Sequence, residues 1–326
     1  MKIGVIGAGA LGGFYGGKLC RTGEDVHFLL RGDYEAVKSN GLRIQSAEGD
    51  FTVYPHAYDT PEAIGPCDLV LVALKTTANE FFAELITPLV GKHTAILCLQ
   101  NGLGNCEQLA ELFGAEKILG GLCFVCLNRS VPGVIQHLAF GKIIMGEYTR
   151  PPQKRTRAFA ALFKESGVPC TVAENLEQGL WGKLVWNIPF NGLGVAAAAG
   201  LPALEGAPIP ETLGPVWPTD QLLADLDWEN WVRVLMDEII AAANAKGLEL
   251  KTELAKAMIE RTRAMGEYRA STLIDFENGQ PLELESMFYE PLRQAQSTGV
   301  PMPRLEALVR VLSEITVKNP HKKLNA

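Results

Sequence analysis

The segment that most constrains the fold of this chain follows its first predicted strand. Lys2–Ile6 is a short apolar run typical of a buried strand, and Leu11–Thr22 has the pattern of an amphipathic helix. Between them the sequence reads GAGALG, in which the glycines permit a tight turn, let the backbone approach a pyrophosphate and let the helix pack closely. A glycine-rich turn that serves packing alone is the alternative. We predict that a dinucleotide binds to this loop, which comprises Gly7, Ala8, Gly9, Ala10, Leu11 and Gly12.

Apolar and amphipathic segments alternate over roughly the first 170 residues. The apolar runs Val26–Leu30, Leu69–Leu74 and Ala95–Leu99 are typical of strands buried on both faces. This alternation predicts an α/β fold with a Rossmann-type sheet, whose ligands bind beyond the carboxyl ends of the strands. We predict helices at Leu11–Thr22, Asn79–Leu89, Asn105–Phe113 and Arg155–Glu165, and shorter strands at Val134–His137, Lys142–Met145 and Cys170–Val172.

After about Ala173 the strand-like runs largely disappear, which predicts an all-α second domain. We place a dinucleotide-binding Rossmann domain at 1–173 and a helical substrate or catalytic domain at 174–326. The proline-rich stretch Gly200–Asp220 is incompatible with one regular helix and is either a lid or contact loop or a tolerated insertion. The predicted helices are Leu176–Ala198, Gln221–Ala245, Lys251–Asp275, Leu284–Gln296 and Arg304–Val317.

Composition excludes several classes of protein. The 326 residues are 47% hydrophobic and 21% charged, with a formal net charge of −7, so we expect no nucleic-acid or membrane partner. Seven cysteines and no recognisable secretory signal favour reduced thiols in the cytoplasm. We expect no metal site, because Cys123-x-x-Cys126 lacks further nearby ligands and the five histidines are far apart in sequence. The sequence leaves a homodimer open.

The end of the second strand indicates which dinucleotide binds. An acid at this point would hold the ribose hydroxyls of NAD, but here the strand is followed by Arg31 and Gly32. A guanidinium suits the 2′-phosphate of NADP, whereas Asp33 lies two residues further on. We therefore predict NADP (NADPH) as the cofactor; a solvated loop charge is the alternative for Arg31.

Further polar residues occupy positions at which a ligand is expected. Lys75 and Asn101 each follow a predicted strand of the sheet. Lys183, Asn187 and Asn191 are spaced i, i+4, i+8, so they share one face of a helix. A solvent-facing stripe is the alternative to a polar pocket there. Further candidates lie at Ser271, Asp275 and Glu283.

These motifs together resemble one family. The glycine loop, Arg31-Gly32, Leu74-Lys75, Gln100-Asn101-Gly102, the Lys/Asn/Asn stripe, Ser271-x-x-x-Asp275 and Gln280-Pro281-Leu282-Glu283 occur in this order. The chain is thereby similar to ketopantoate reductase (2-dehydropantoate 2-reductase) from Met1 to about Arg310. The resemblance implies catalytic roles for Lys183 and Glu283. It implies substrate binding by Asn101, Asn187, Asn191 and Ser271, and cofactor binding by Arg31, Lys75 and Asn101.

The resemblance implies a reaction, NADPH-dependent reduction of ketopantoate to pantoate in pantothenate and coenzyme A biosynthesis. One alternative is a reductase of the same family that acts on another small-molecule 2-oxo acid. A second is a dinucleotide-binding regulator without catalytic activity. Rates with a panel of 2-oxo acids distinguish the three hypotheses.

Overall fold

The structure is a computed structural model that describes residues 1–318, apart from the side chain of Ser130. Residues 319–326 of the predicted helical domain therefore lie outside the described part. The chain divides into two units, Met1–Gly179 and a second that begins at Leu180. The predicted boundary at 173/174 lies a few residues before this division.

The first unit is built on one ten-stranded sheet. The strands are β1 Lys2–Ile6, β2 Asp25–Leu29, β3 Leu42–Ser46, β4 Phe51–Val53, β5 His56–Tyr58, β6 Cys67–Val72, β7 Val90–Cys98, β8 Ile118–Val131, β9 Val134–Glu147 and β10 Cys170–Val172. They follow the order β4-β3-β9-β8-β7-β6-β1-β2-β5 across the sheet, and β10 pairs with β9. All neighbours are parallel except β3–β4 and β8–β9.

Helices connect these strands. The α-helices of the first unit are α1 Ala10–Arg21, α2 Tyr34–Asn40, α3 Phe82–Ile86, α4 Asn105–Phe113 and α5 Lys154–Glu165. Helix α1 packs closely on the sheet because a Cβ at Gly16 would lie 2.5 Å from the ring of Phe28. The predicted Rossmann-type fold is confirmed.

Two local predictions in this unit are wrong. The predicted helix Asn79–Leu89 is broken into a 3₁₀ turn at Thr76–Phe81, the short helix α3 and a second 3₁₀ turn at Thr87–Leu89, where Pro88 lies. The two short strands predicted within 134–145 form one strand, β9, which pairs antiparallel with the unpredicted strand β8. Gly120 and Gly121 obscure the apolar pattern of β8, although they lie in its buried part.

The second unit contains helices and no strand among its described residues, as predicted. Long helix α6 carries two glycines where neighbours approach closely: a Cβ at Gly192 would lie 2.6 Å from Leu308, and one at Gly194 would lie 2.6 Å from Leu273. The helices are α6 Leu176–Ala196, α7 Leu201–Leu204, α8 Thr219–Ala224, α9 Leu226–Ala245, α10 Leu254–Arg263, α11 Ser271–Glu277, α12 Glu290–Gln296 and α13 Pro303–Lys318, with a π-helical segment at Glu285–Tyr289 before α12.

Two predicted long helices are interrupted. Gln221–Ala245 is divided at Asp225, whose carboxylate accepts hydrogen bonds from the backbone N–H groups of Asp227 and Trp228 and so caps α9. Lys251–Asp275 is divided between α10 and α11. In each case a capping or loop segment replaces part of a continuous helical pattern.

The proline-rich stretch Gly200–Asp220 is tied to the helices around it. The backbone N–H of Gly214 donates to Ala198 at 2.8 Å, and that of Trp217 donates to Gly194 at 2.9 Å. The ammonium group of Lys318 donates to the carbonyl of Ile209 at 2.8 Å, and both Ile209 and Val216 are buried. These bonds favour a fixed connection over a mobile lid.

Among residues 1–318, the helices are all too short or too polar to cross a lipid bilayer.

Candidate active-site residues

The glycine loop has the geometry of a phosphate cradle. Gly7 has a φ of +88°, and a Cβ there would lie 2.3 Å from the backbone nitrogen of Leu74. A Cβ at Gly12 would lie 2.4 Å from the carbonyl oxygen of Gly7. At Gly9, by contrast, a Cβ would meet no atom within 4 Å, directly before the first turn of α1. The loop therefore leaves open space at the N-terminal end of a helix, where a pyrophosphate is stabilised.

Two residues of opposite charge follow β2, and they differ in burial. Arg31 is exposed, whereas Asp33 is 5% exposed. Arg129 donates to both carboxylate oxygens of Asp33, at 3.3 and 3.4 Å, and the backbone N–H of Gly133 donates at 3.4 Å. The carboxylate of Asp33 is thus directed to the β8–β9 hairpin, and Arg31 is the exposed charge that follows the strand.

A network of side-chain amides joins the loops that follow β6 and β7. The Nε2 atom of Gln100 donates to the carbonyl of Leu74 at 3.0 Å and to Oδ1 of Asn79 at 2.8 Å. The Nδ2 atom of Asn79 donates to Oδ1 of Asn105 at 2.8 Å, and Nδ2 of Asn105 donates to the carbonyl of Asn101 at 2.9 Å. The network fixes the backbone at both ligand-edge positions predicted from the sequence.

Sequence reasoning missed the supporting members of this network. Asn79 and Asn105 lie on a 3₁₀ turn and on α4, and neither follows a strand. Lys75, which immediately precedes the turn, is exposed, and Asn101 is half-buried. Asn105 is buried, which the sequence does not reveal; the signal that could have found it is its position at the start of the predicted helix Asn105–Phe113.

Two buried cysteines of the first unit have raised thiol pKa values. Hydrogen bonding with the Cys98 sulfur, together with burial, raises the pKa of Cys106 well above its usual range. Burial raises the pKa of Cys67 to about 11. A raised thiol pKa disfavours the nucleophilic thiolate, so we expect these two cysteines to act as small apolar side chains.

In the second unit, the Lys/Asn/Asn stripe lies on α6. Lys183 is half-buried, and Asn187 and Asn191 are buried. The Nδ2 atom of Asn191 donates to the backbone carbonyl of Asn187 at 2.9 Å. The stripe is therefore largely withdrawn from solvent although Pro189 interrupts the backbone hydrogen bonds of the helix.

The structure brings one distant candidate to this stripe. The hydroxyl of Ser271 donates to Oδ1 of Asn191 at 3.3 Å, and the backbone N–H of Thr272 donates to the same oxygen at 3.0 Å. Asn191 thereby fixes the first turn of α11 against α6. Asp275 lies one turn further along α11 and is half-buried.

Glu283 lies in the segment without regular secondary structure before the π-helical turn. It is half-buried, and its carbonyl oxygen accepts a hydrogen bond from the backbone N–H of Met287 at 3.3 Å. Its pairing with Lys183 stays a prediction.

Two family models match this chain. Residues 3–150 match the model described as "Ketopantoate reductase PanE/ApbA", and residues 216–316 match its C-terminal counterpart. A 2-dehydropantoate 2-reductase from Nostoc sp. is 38% identical over 324 residues, which is 98% of this chain and 96% of the relative. The chain belongs to the ketopantoate reductase family.

Solved structures of ketopantoate reductase family members have the same fold. The crystal structure of 2-dehydropantoate 2-reductase from Geobacter metallireducens is 48% identical, with a TM-score of 0.88 over 97% of this chain and 100% of that chain. The enzyme of the same name from Methylococcus capsulatus is 32% identical, with a TM-score of 0.87 over 98% of each chain. This chain is accordingly an oxidoreductase of a dinucleotide-binding family that acts on small molecules.

A more distant similarity concerns the fold alone. The ternary structure of D-mandelate dehydrogenase with NADH and anilino(oxo)acetate is 18% identical, with a TM-score of 0.79 over 96% of this chain and 97% of that chain. The ketopantoate reductase fold thus extends to an enzyme with a different name.

Proposed function

We propose that this chain reduces 2-dehydropantoate to pantoate with NADPH, a step of pantothenate and coenzyme A biosynthesis. The observation that carries the proposal is its 38% identity, over nearly the whole chain, to a protein named for that reaction. The sequence motifs that led to the same expectation lie in both units.

For the cofactor, we propose that the glycine loop from Gly7 to Gly12 holds the pyrophosphate. The open space at Gly9 fits a phosphate group, and the first N–H groups of α1 supply donors. Arg31 would bind the 2′-phosphate, since its guanidinium is exposed while Asp33 is engaged elsewhere. Lys75 and Asn101 would bind the remainder of the cofactor, which supplies the hydride when bound.

For catalysis, we propose that Lys183 stabilises the alkoxide that develops on the oxygen of the 2-oxo group and donates the proton to that oxygen. Glu283 would orient this ammonium group and favour its charged form. Asn187, Asn191, Ser271 and Asn101 would hold the substrate. The amide of Asn191 already accepts two hydrogen bonds from the start of α11, so part of its role is to position Ser271.

The division of labour follows the two predicted domains, with cofactor binding in 1–173 and substrate chemistry in 174–326. The cysteines within residues 1–318 are all free of disulfide bonds, which is typical of proteins in a reducing cytoplasm. The partners are small molecules, and the proposal requires no second copy of the chain.

The test is NADPH oxidation with ketopantoate and with a panel of other 2-oxo acids. We expect the highest kcat/KM for ketopantoate, and a preference for another 2-oxo acid would replace the proposed substrate. If NADPH binds but no 2-oxo acid oxidises it, the result would favour the alternative of a dinucleotide-binding regulator without catalytic activity.

A matched pair of variants tests the catalytic lysine. Lys183→Ala is expected to lower kcat by about 100-fold or more, the usual contribution of a general acid, while NADPH affinity changes little. Lys251→Ala removes an exposed lysine of the same unit and should leave kcat unchanged. Near-normal turnover of Lys183→Ala would exclude the proposed role.

A further inference from the structure

Two histidines and an aspartate meet on one face of the sheet of the first unit. Strands β2 and β5 pair in parallel, with His27 opposite His56. Because residues two apart in a strand point to the same face, Asp25 shares the face of His27, and Tyr58 shares that of His56. The two imidazole rings are stacked, with their centroids 4.6 Å apart. The proposed reaction uses none of these residues.

The distances between their polar atoms match a metal coordination shell. Oδ1 of Asp25 lies 2.9 Å from Nε2 of His27 and 3.4 Å from Nε2 of His56. One ligand atom from each residue lies within 4.8 Å of the other two. Around a tetrahedral zinc ion with bonds of about 2.0–2.1 Å, neighbouring ligand atoms are about 3.3 Å apart. The two separations from Oδ1 of Asp25, 2.9 and 3.4 Å, lie close to this value.

Tyr58 provides the partner that a metal-binding histidine needs. Its hydroxyl oxygen lies 3.3 Å from Nδ1 of His27. A metal ion at Nε2 replaces the proton shared with Asp25, and the neutral ring then carries its proton on Nδ1. A phenol hydroxyl accepts as readily as it donates, so Tyr58 satisfies either tautomer of the ring. Partners of this kind orient ligating histidines in metal sites.

We propose that Asp25, His27 and His56 bind a divalent transition-metal ion of the zinc class, with water at the open position. Two imidazoles and one carboxylate suit Zn²⁺, Ni²⁺ and Cu²⁺ better than Mg²⁺ or Ca²⁺. The Asp25 and His56 side chains are 48% and 63% exposed, which gives the ion an entry path, whereas the His27 side chain is 9% exposed.

The surrounding charges are compatible with this site. Lys2 lies opposite Asp25 on β1, and its ammonium group donates to the carbonyl of Ile64 at 2.5 Å. The ion would join the edge strand β5 to β2 and so stabilise the edge of the sheet.

Zinc titration of the chelator-treated, untagged full chain tests the site. We expect one Zn²⁺ per chain by isothermal titration calorimetry, and loss of that binding in His56→Gln. His56 is exposed, so this variant is expected to fold normally. His93→Gln removes an exposed histidine of β7 and should still bind one Zn²⁺. Absence of zinc binding, or an unchanged stoichiometry in His56→Gln, would overturn the proposal.

Two further measurements identify the ligands. Bound Co²⁺ should give visible bands typical of nitrogen and oxygen ligands, and a thiolate charge-transfer band would instead assign the ion to cysteines. Tyr58→Phe should keep one Zn²⁺ per chain but bind it about 10–100-fold more weakly, the usual effect of losing a second partner. Zinc should raise Tm in the wild type and in His93→Gln but not in His56→Gln. An equal rise in all three would contradict the proposed ligands.

Discussion

The side chain of Asn191 in α6 accepts a hydrogen bond from the backbone N–H of Thr272 in the first turn of α11, with 3.0 Å between the two atoms. Ser271 donates to the same oxygen, and Asn191 itself donates to Asn187. Asn191, which the sequence predicts to bind substrate, therefore also joins helices α6 and α11 through its side-chain hydrogen bonds.

Asn191→Ala is expected to lower the free energy of unfolding by about 2–3 kcal/mol, because a buried backbone N–H loses its acceptor. Ser271→Ala removes a single 3.3 Å bond and should cost less than about 1 kcal/mol. Urea unfolding followed by circular dichroism measures both. An equal loss of unfolding free energy in the two variants would contradict the role of Asn191 in joining α6 to α11.

Asn79→Ala is expected to lower kcat/KM for NADPH on the order of 10-fold, since the Gln100–Asn101 loop loses its support and small misplacements are costly. Steady-state rates give the effect, and Tm shows whether the fold is retained. Gln108→Ala breaks only an exposed 3.2 Å bond to Asn79 and serves as the control. If both variants behave alike, the network does not position the loop.

Gly9→Ala and Gly12→Ala should differ in their effects on thermal stability, although both lie in the loop proposed to bind NADPH. A methyl group at Gly9 enters open space, so the chain should fold normally but bind NADPH more weakly. At Gly12 it would meet the backbone oxygen of Gly7 at 2.4 Å, so Tm should fall as well. Fluorescence titration with NADPH and thermal unfolding separate the outcomes, and unaltered affinity in Gly9→Ala would argue against the cradle.

Arg31→Ala is expected to raise KM for NADPH roughly 10- to 100-fold, as for the loss of one charge-assisted hydrogen bond, and to leave kcat/KM for NADH nearly unchanged. Arg157→Ala, which removes an exposed arginine of α5, is the control. An equal effect on both cofactors would exclude contact with the 2′-phosphate.

Glu147 predicts a pH dependence of stability. Burial on its own raises the pKa of this carboxyl, but hydrogen bonds from Arg155, Thr156 and Arg150 outweigh it and hold the pKa below its ordinary value of 4.5. The stabilisation is therefore fully present above pH 4.5 and is lost as the pH falls through the lower folded-state pKa.

Glu147→Gln should accordingly lower the unfolding free energy by about 3–5 kcal/mol near neutral pH, and the difference from wild type should shrink in acid. Urea midpoints across this range measure it. Glu165→Gln, an exposed carboxylate of α5, should follow the wild type at every pH. A difference for Glu147→Gln that is constant with pH would mean that its charge is not involved.

The features with local causes could be predicted from the sequence. The spacing of the glycines between strand β1 and helix α1 predicted the loop, and at Gly12 the steric demand is local, because a Cβ there would lie 2.4 Å from the carbonyl oxygen of Gly7. The helix Asn105–Phe113 was predicted with its observed bounds, and the spacing of Lys183, Asn187 and Asn191 placed them on one helix face. Periodicity records such relationships directly.

Contacts between residues far apart in sequence are visible only in the folded chain. The sequence does not pair Asn191 with Thr272, Asp33 with Arg129, or His27 with His56, because strand order and helix packing bring these residues together. The antiparallel pairing of β8 with β9 is also not predicted from the sequence, because it depends on contacts between two separate strands. Each of these contacts depends on chain segments far apart in sequence, and local side-chain patterns carry no record of them.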